Sequence, residues 1–169
     1  MLRPILKYGD DALHQPARPV EELTPEIDRL IEDMIETMYA APGIGLAAPQ
    51  IGAPLKIFVI DLSVGQDPSG LKVMINPSFV ERDGMQLEDE GCLSVPGFNA
   101  TVVRPARVTV RGKDRNGNEY EHGGTGLLAR ALQHEMDHLD GTLFVDRLRG
   151  IKREIIVRKI RKLSRAGKW

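Results

Sequence analysis

Residues 133–141 read QHEMDHLDG and hold two of the chain's four histidines, His134 and His138, four positions apart with Glu135 beside the first. On an α-helix, side chains four residues apart lie on one face, about 6 Å from each other. Both imidazoles can therefore turn a nitrogen to one divalent cation. Glu135 is then directed beside that cation, where its carboxylate can take a proton from water. This is the H-E-x-x-H pattern of hydrolytic metal sites, in which the cation lowers the pKa of a water towards roughly 7 and the acid completes its activation. With nothing bound, the same residues are two exposed histidines on a helix.

A hydrolytic metal usually has three protein ligands and one open position. No third histidine follows within the next several residues, which argues against the extended metzincin pattern. His14 and His122 stand in polar, turn-like contexts and read as surface residues. The other candidate is Cys92, the single cysteine, in EDEGCLSVPG, where Gly91 precedes it and Pro96-Gly97 follows, an exposed-turn context. Alone it forms no internal disulfide, so it is a small buried hydrophobe, a reactive thiol or a metal ligand. A two-histidine site elsewhere in the chain favours the last.

These groups need a scaffold. At 169 residues the chain suits one domain over 1–169, long enough to bury a core without disulfides. Its 41% hydrophobic and 28% charged residues are those of a soluble globular protein, and a net charge of -1 gives no overall attraction to nucleic acid, hence no direct DNA binding. The opening MLRPILKYGDDALHQP breaks any signal-peptide run with proline and charges, and no segment approaches the roughly 18 apolar residues of a membrane span. A cytoplasmic protein that uses no membrane is expected.

Residues 25–39 place Ile27, Leu30, Ile31, Met34, Ile35 and Met38 at helical spacing, with Thr24 as N-cap and Pro25 at the first helical position. The helix gives way to APGIGLAAPQIGAP, whose glycines allow close backbone approaches that side chains would block. LKIFVIDL and LKVMINPSFVERDG read as strands, and TVVRPARVTVRGKDRNGNEYEHG as one strand, a turn at Asn116-Gly117 and a second strand. Residues 63–70 read as a mobile surface loop. From Thr125, helical periodicity returns with Leu127, Leu128, Ala131, Leu132 and Leu139, and carries the histidine pair. The last segment sets Ile151, Ile155, Ile156, Ile160 and Leu163 as an apolar stripe among many lysines and arginines. The expected class is α+β: a mixed or antiparallel β framework around a central H-E-x-x-H helix, with an N-terminal helix and a basic C-terminal helix.

GIGLAAPQ at 43–50, EGCLS at 90–94 and QHEMDH at 133–138, in this order, resemble the three signature motifs of peptide deformylases, and the opening ILKYGDDALHQPARPV with the helix after it resembles that family too. The resemblance implies that the chain removes the formyl group from the N-terminal methionine of new bacterial or organellar proteins, with N-formyl-methionyl nascent peptides as its partners. It implies that Cys92, His134 and His138 hold one divalent metal ion per chain, Fe2+ in the cell and Zn2+, Ni2+ or Co2+ after purification. Glu135 would be general base and acid, while the Gln50 amide and the Leu93 backbone N–H would donate to the formyl oxygen. Gly43, Ile44 and Gly45 would take the peptide as an added strand, and Ile44 and Leu127 would wall the methionine pocket. Glu90, Arg104 and Asp137 are candidates to hold the ligands in place through hydrogen bonds and ion pairs. Asn99 stands where many members of the family carry arginine near the peptide path.

Two other readings use the same residues. A metallopeptidase would more typically complete the site with a third histidine or a carboxylate. A binding module with a structural zinc and an RNA-contacting tail would need a fourth ligand, and would leave Glu135 without a task. The basic C-terminal helix reads either as a solvated helix packed through its isoleucines or as a docking element for the ribosome, near which the substrate emerges.

Overall fold

The computed structural model describes residues 1–169. Side chains alternate across a strand, so one short apolar segment can serve two cores. Strand β2 (Ile57–Ile60) does so: Ile57 and Val59 face one way, Phe58 and Ile60 the other, and all four are buried. It lies second in a five-stranded sheet ordered β1 (Gly45–Ala47), β2, β3 (Lys72–Asp83), β6 (Arg107–Lys113) and β7 (Glu119–Thr125). Helix α1 (Pro25–Ala40) packs Leu30, Ile31, Met34 and Met38 on one face, against Ile57, Val59, Val73 and Ile75. Helix α2 (Gly126–Leu139) packs Ala129, Leu132, Met136 and Leu139 on the other, against Phe58, Ile60, Met74, Val108 and Val110. α1 begins as its spacing predicts, with Thr24 Oγ1 accepting from the Ile27 N–H and Pro25 next.

A separate ribbon pairs β4 (Gln86–Gly91) with β5 (Asn99–Arg104). Val102 of β5 joins a third core with Leu13, Val95, Phe144 and Val145 of the short helix α3 (Phe144–Arg147), and Ile156 and Ile160 of α4 (Ile151–Arg165). All strand pairings in the two sheets are antiparallel, so the framework is not mixed. No helix is long and apolar enough to cross a membrane.

Three expectations change here. TVVRPARVTV is two strands: Pro105 has no N–H for a ladder, so β5 ends at Arg104 and β6 starts at Arg107 in the other sheet. His122 is no turn residue but a half-buried member of β7 opposite Val110, its pKa lowered by burial and by Lys72. On α4, Ile156 and Ile160 are buried, whereas Ile151 and Ile155 are exposed, so the stripe is only partly covered.

The loop after β2 is tied down. Buried Asp61 accepts from the Ser63 N–H and Oγ, the Gly65 N–H and the Tyr39 hydroxyl. Burial works to raise its pKa, and these donors outweigh it and hold the carboxyl below the usual range. Burial, then Asp61, pushes the Tyr39 hydroxyl up to about 12. Tyr39→Phe is expected to cost about 2 kcal/mol at pH 8, as loss of a hydrogen bond to a charged acceptor. The folded tyrosine titrates above its free value of about 10. Its contribution is therefore complete below that pH and is lost as pH rises through about 12. Urea midpoints of the two proteins at pH 8 and pH 11.5 check this, and the gap should narrow at the higher pH.

Candidate metal centre

A helix buried nearly all round is usually apolar. α2 is different: Arg130, Gln133, Glu135, Asp137 and His138 are all buried on it. Three of its buried atoms, Arg130 Nη1, Glu135 Oε1 and His138 Nδ1, have no hydrogen-bond partner. Each such atom costs about 1–3 kcal/mol, and an orphan of this kind marks a group held for something other than stability.

β4 brings the sulfur to the same place. The strand ends at Gly91 and the chain turns at once, the Val95 N–H donating to Cys92 O at 2.9 Å. Cys92 is half-buried rather than an exposed-turn residue. Its Sγ lies 3.3 Å from His138 Nε2, which lies 3.2 Å from His134 Nε2. The donor atoms of Cys92, His134 and His138 all fall within 4.8 Å of one another. A tetrahedral cation with metal–nitrogen bonds of about 2.05 Å and a metal–sulfur bond of about 2.3 Å has edges of about 3.3 and 3.5 Å. The two contacts at His138 match those edges, and a thiolate with two imidazoles suits a borderline-soft divalent metal.

The protein groups alone leave the site poised for a cation. Burial opposes charge on both histidines, yet Cys92 and Glu90 hold His134 well above its ordinary pKa. Burial, together with His134 and Arg104, holds His138 well below. Burial above all pushes the Glu135 carboxyl up to about 7, with Glu90 and Asp137 adding to the rise and His134 and Arg104 opposing it.

Around the donors runs a chain of buried ion pairs. Glu90 Oε1 sits 3.3 Å from His134 Nδ1, and Arg104 grips both Glu90 oxygens at 2.7–3.2 Å while its Nη1 reaches Asp137 at 3.0 Å. Asp137 touches no ligand itself; it anchors Arg104. On the other side, Gln50 is buried with its Oε1 taken by the Ala47 N–H at 2.9 Å. That fixes its amide nitrogen 3.1 Å from Ser94 Oγ and 3.7 Å from Cys92 Sγ. The Leu93 N–H, next to the sulfur, donates to no protein group.

Cys92 and His134 line a cleft of about 430 Å³, together with Gly43, Ile44, Gly45, Gln50, Leu127, Ala131 and Glu135 among others. Ile44 is half-buried against the core, and Leu127 is an exposed lip rather than a core residue. Gly45 lies at the sheet's edge strand, where a Cβ would stand 2.5 Å from Glu135 Oε2. At Gly43 a Cβ would stand 2.7 Å from Leu93 Cδ1. Gly45→Ala is therefore expected to push the Glu135 carboxylate aside and lower kcat about 100-fold, the usual penalty of a misplacement near 1 Å. Metal content measured alongside should not change.

A family model described as polypeptide deformylase matches residues 2–154. The chain belongs to the polypeptide deformylase family. It is thus an enzyme, of a family that removes N-formyl groups from nascent proteins. A peptide deformylase of Acidobacterium capsulatum is 52% identical over 169 residues, covering 100% of this chain and 99% of the relative. The crystal structure of a Legionella pneumophila deformylase superposes with a TM-score of 0.92 at 47% identity, over 99% of this chain and 98% of the other. A Synechococcus elongatus deformylase solved in complex with actinonin gives 0.87 at 42% identity, over 94% and 90%.

Sequence reasoning missed three side chains at the site. Ser94 lies inside EGCLS, but its part in fixing Gln50 needs the fold to be seen. Arg147 of α3 binds Asp137 through Nε and Nη2 at 2.5 and 2.6 Å, and nothing in LFVDRL announces it. Arg130 spans the gap from α2 to the ribbon, donating to Gln86 Oε1 and Val102 O, with Nη1 3.9 Å from Glu90 Oε2. It looked like one more polar position on a helix.

Proposed function

We propose that the chain hydrolyses N-formyl-methionyl peptides to formate and a free N-terminus, with Cys92, His134 and His138 holding one divalent metal ion. The observation that carries this reading is the placement of Glu135: a dry carboxylate with an orphaned oxygen beside three converging N, N and S donors, in the lining of a cleft. The bound cation supplies a Lewis acid that lowers the pKa of a water and polarises the formyl carbonyl. Glu135 takes the proton as the water oxygen bonds to the formyl carbon. The Gln50 amide and the Leu93 N–H donate to the formyl oxygen as charge develops there, both preset by the backbone. Glu135 then returns the proton to the departing nitrogen as the C–N bond breaks. Ile44, Leu127 and Ala131 take the methionine side chain, and the open edge of β1 takes the peptide backbone as an added strand.

Ferrous iron is the metal inferred for the cell, with zinc, nickel or cobalt as substitutes after purification, and the bacterial cytoplasm is the inferred setting. Wild-type protein should bind one such ion per chain, and Cys92→Ala should bind less than a tenth of that and turn over no formyl-Met-Ala-Ser. Full metal content in Cys92→Ala contradicts the ligand assignment.

Basic α4 suits docking to the ribosome. Its Ile156 and Ile160 belong to a core, so truncation is a poor test. Replacing exposed Lys152, Arg158, Lys159 and Lys162 with glutamate keeps that core, and co-sedimentation with ribosomes at low salt should fall. Unchanged binding contradicts docking through α4.

A further inference from the structure

Gln50 and the Cys92–Ser94 turn lie far apart in the chain, and a third piece of backbone joins them. The Leu6 N–H donates to Gln50 O and the Tyr8 N–H to Ser94 O, each at 2.8 Å. Residues 6–8 thus bridge the two backbones, alongside the side-chain bond from the Gln50 amide to Ser94 Oγ. The bridge has little support of its own, since no helix or strand contains it and no backbone N–H donates to Tyr8 O. That carbonyl is taken instead by the Trp169 indole N–H at 2.8 Å. The same ring packs edge-on to Phe98, with ring centres 6.0 Å apart, and Phe98 closes the turn after Cys92, its N–H donating to Val95 O. One indole therefore touches both the bridge and the turn that carries the sulfur. The end of α4 is shaped to put it there. Gly167 takes a left-handed φ of +70°, with its N–H donating to Ser164 O and the Lys168 N–H to Leu163 O. These bonds stop a helix and turn the chain off its axis, and Trp169 follows directly.

We propose that Trp169 is a positioning residue for deformylation: by holding Tyr8 and Phe98 it keeps the Gln50 and Ser94 backbones at a fixed separation, and so aims the Gln50 amide. The proposal rests on the deformylase reading above, in which that amide donates to the formyl oxygen. Without the indole, Tyr8 O loses its donor and Phe98 its cover, and two hydrogen bonds alone hold residues 6–8 between the loops. The Gln50 amide then spends part of its time out of place. Removing an oxyanion donor outright costs about 10²–10³ in kcat, so loosening one should cost about tenfold. The amide acts as charge develops, so the loss should fall on kcat and leave KM alone.

The test measures kcat and KM for formyl-Met-Ala-Ser on wild type, Trp169→Ala, Gln50→Ala and the Gln50→Ala/Trp169→Ala pair, with hydrogen exchange at the Leu6 and Tyr8 amides followed on wild type and Trp169→Ala. Trp169→Ala should lower kcat about tenfold when Gln50 is present and less than about twofold once it is gone, because a residue that acts through another loses its effect with it. Exchange at the two amides should quicken about tenfold as the bridge loosens. Trp169→Phe keeps a ring against Phe98 and loses only the N–H, so it serves should Trp169→Ala fail to fold, and it should lower kcat about threefold. An equal loss of kcat with and without Gln50 marks a merely structural role and overturns the proposal, as does unchanged exchange. Full kcat in both Trp169 variants of a chain that cleaves formyl-Met-Ala-Ser overturns it alone, whereas no cleavage by the wild type overturns the deformylase reading with it.

Discussion

Glu135→Gln should lower kcat about 1000-fold while one metal per chain stays bound. Glutamine keeps the shape and the hydrogen-bonding reach of the side chain but cannot carry a proton, and proton carriage by a placed side chain is worth 10²–10⁴ in rate. The size of the effect follows from the surroundings. Glu135 is 3% exposed, one of its oxygens has no protein partner, and its pKa is pushed up to about 7, mainly by burial. Such a group exchanges a proton near neutral pH, as a base that must become an acid within one turnover requires. Steady-state rates and metal analysis on the same preparation check it, and a variant retaining a tenth of wild-type kcat would remove Glu135 from the proton path.

Arg104→Ala should destabilise the fold by about 4 kcal/mol, the cost of removing one partner from a buried ion pair. Arg104 is 2% exposed and is the link between Glu90 and Asp137. Without it Asp137 keeps only Arg147, and Glu90 loses the bidentate grip that aims it at His134. The pH dependence should weaken as well. In the wild type burial works to raise the Glu90 pKa, but His134 and Arg104 outweigh it and hold the value below the ordinary range. Its contribution is therefore full above the unfolded value of about 4.3 and is lost as pH falls through the lower folded one. In the variant His134 still opposes burial but Arg104 does not, so the folded value moves back towards the unfolded one and the stability lost as pH falls from 5 towards 3 should shrink. Urea midpoints at both pH values check this. Glu90→Ala is the companion, and unchanged metal content and turnover there would show that Glu90 positions nothing.

The parts of the site legible in the sequence are those set by local geometry. His134, Glu135 and His138 need only a helix to converge, and the apolar spacing of residues 127–139 supplies it. β2 was legible because an unbroken IFVI suits a strand buried on both faces. Cys92 is different in kind: a single cysteine in a turn says nothing of which helix it meets, so the need of the histidine pair for a third ligand favoured it and the resemblance to deformylases named it. Arg104, Asp137 and Arg147 lie on three elements whose packing fixes their pairing, and no local pattern encodes that. Pro105 misled for a related reason. Proline breaks a ladder, but whether the chain then rejoins the same sheet or another is decided by the cores on either side.

The most direct test of the account is formate release from formyl-Met-Ala-Ser by anaerobically purified protein, stripped of metal and reloaded with Fe2+ in steps, with bound iron counted at each step. The account predicts no release from the stripped chain and a rate that climbs in proportion to bound iron, levelling at one ion per chain. A rate independent of bound metal, or no formate from a chain carrying one ion, would contradict it.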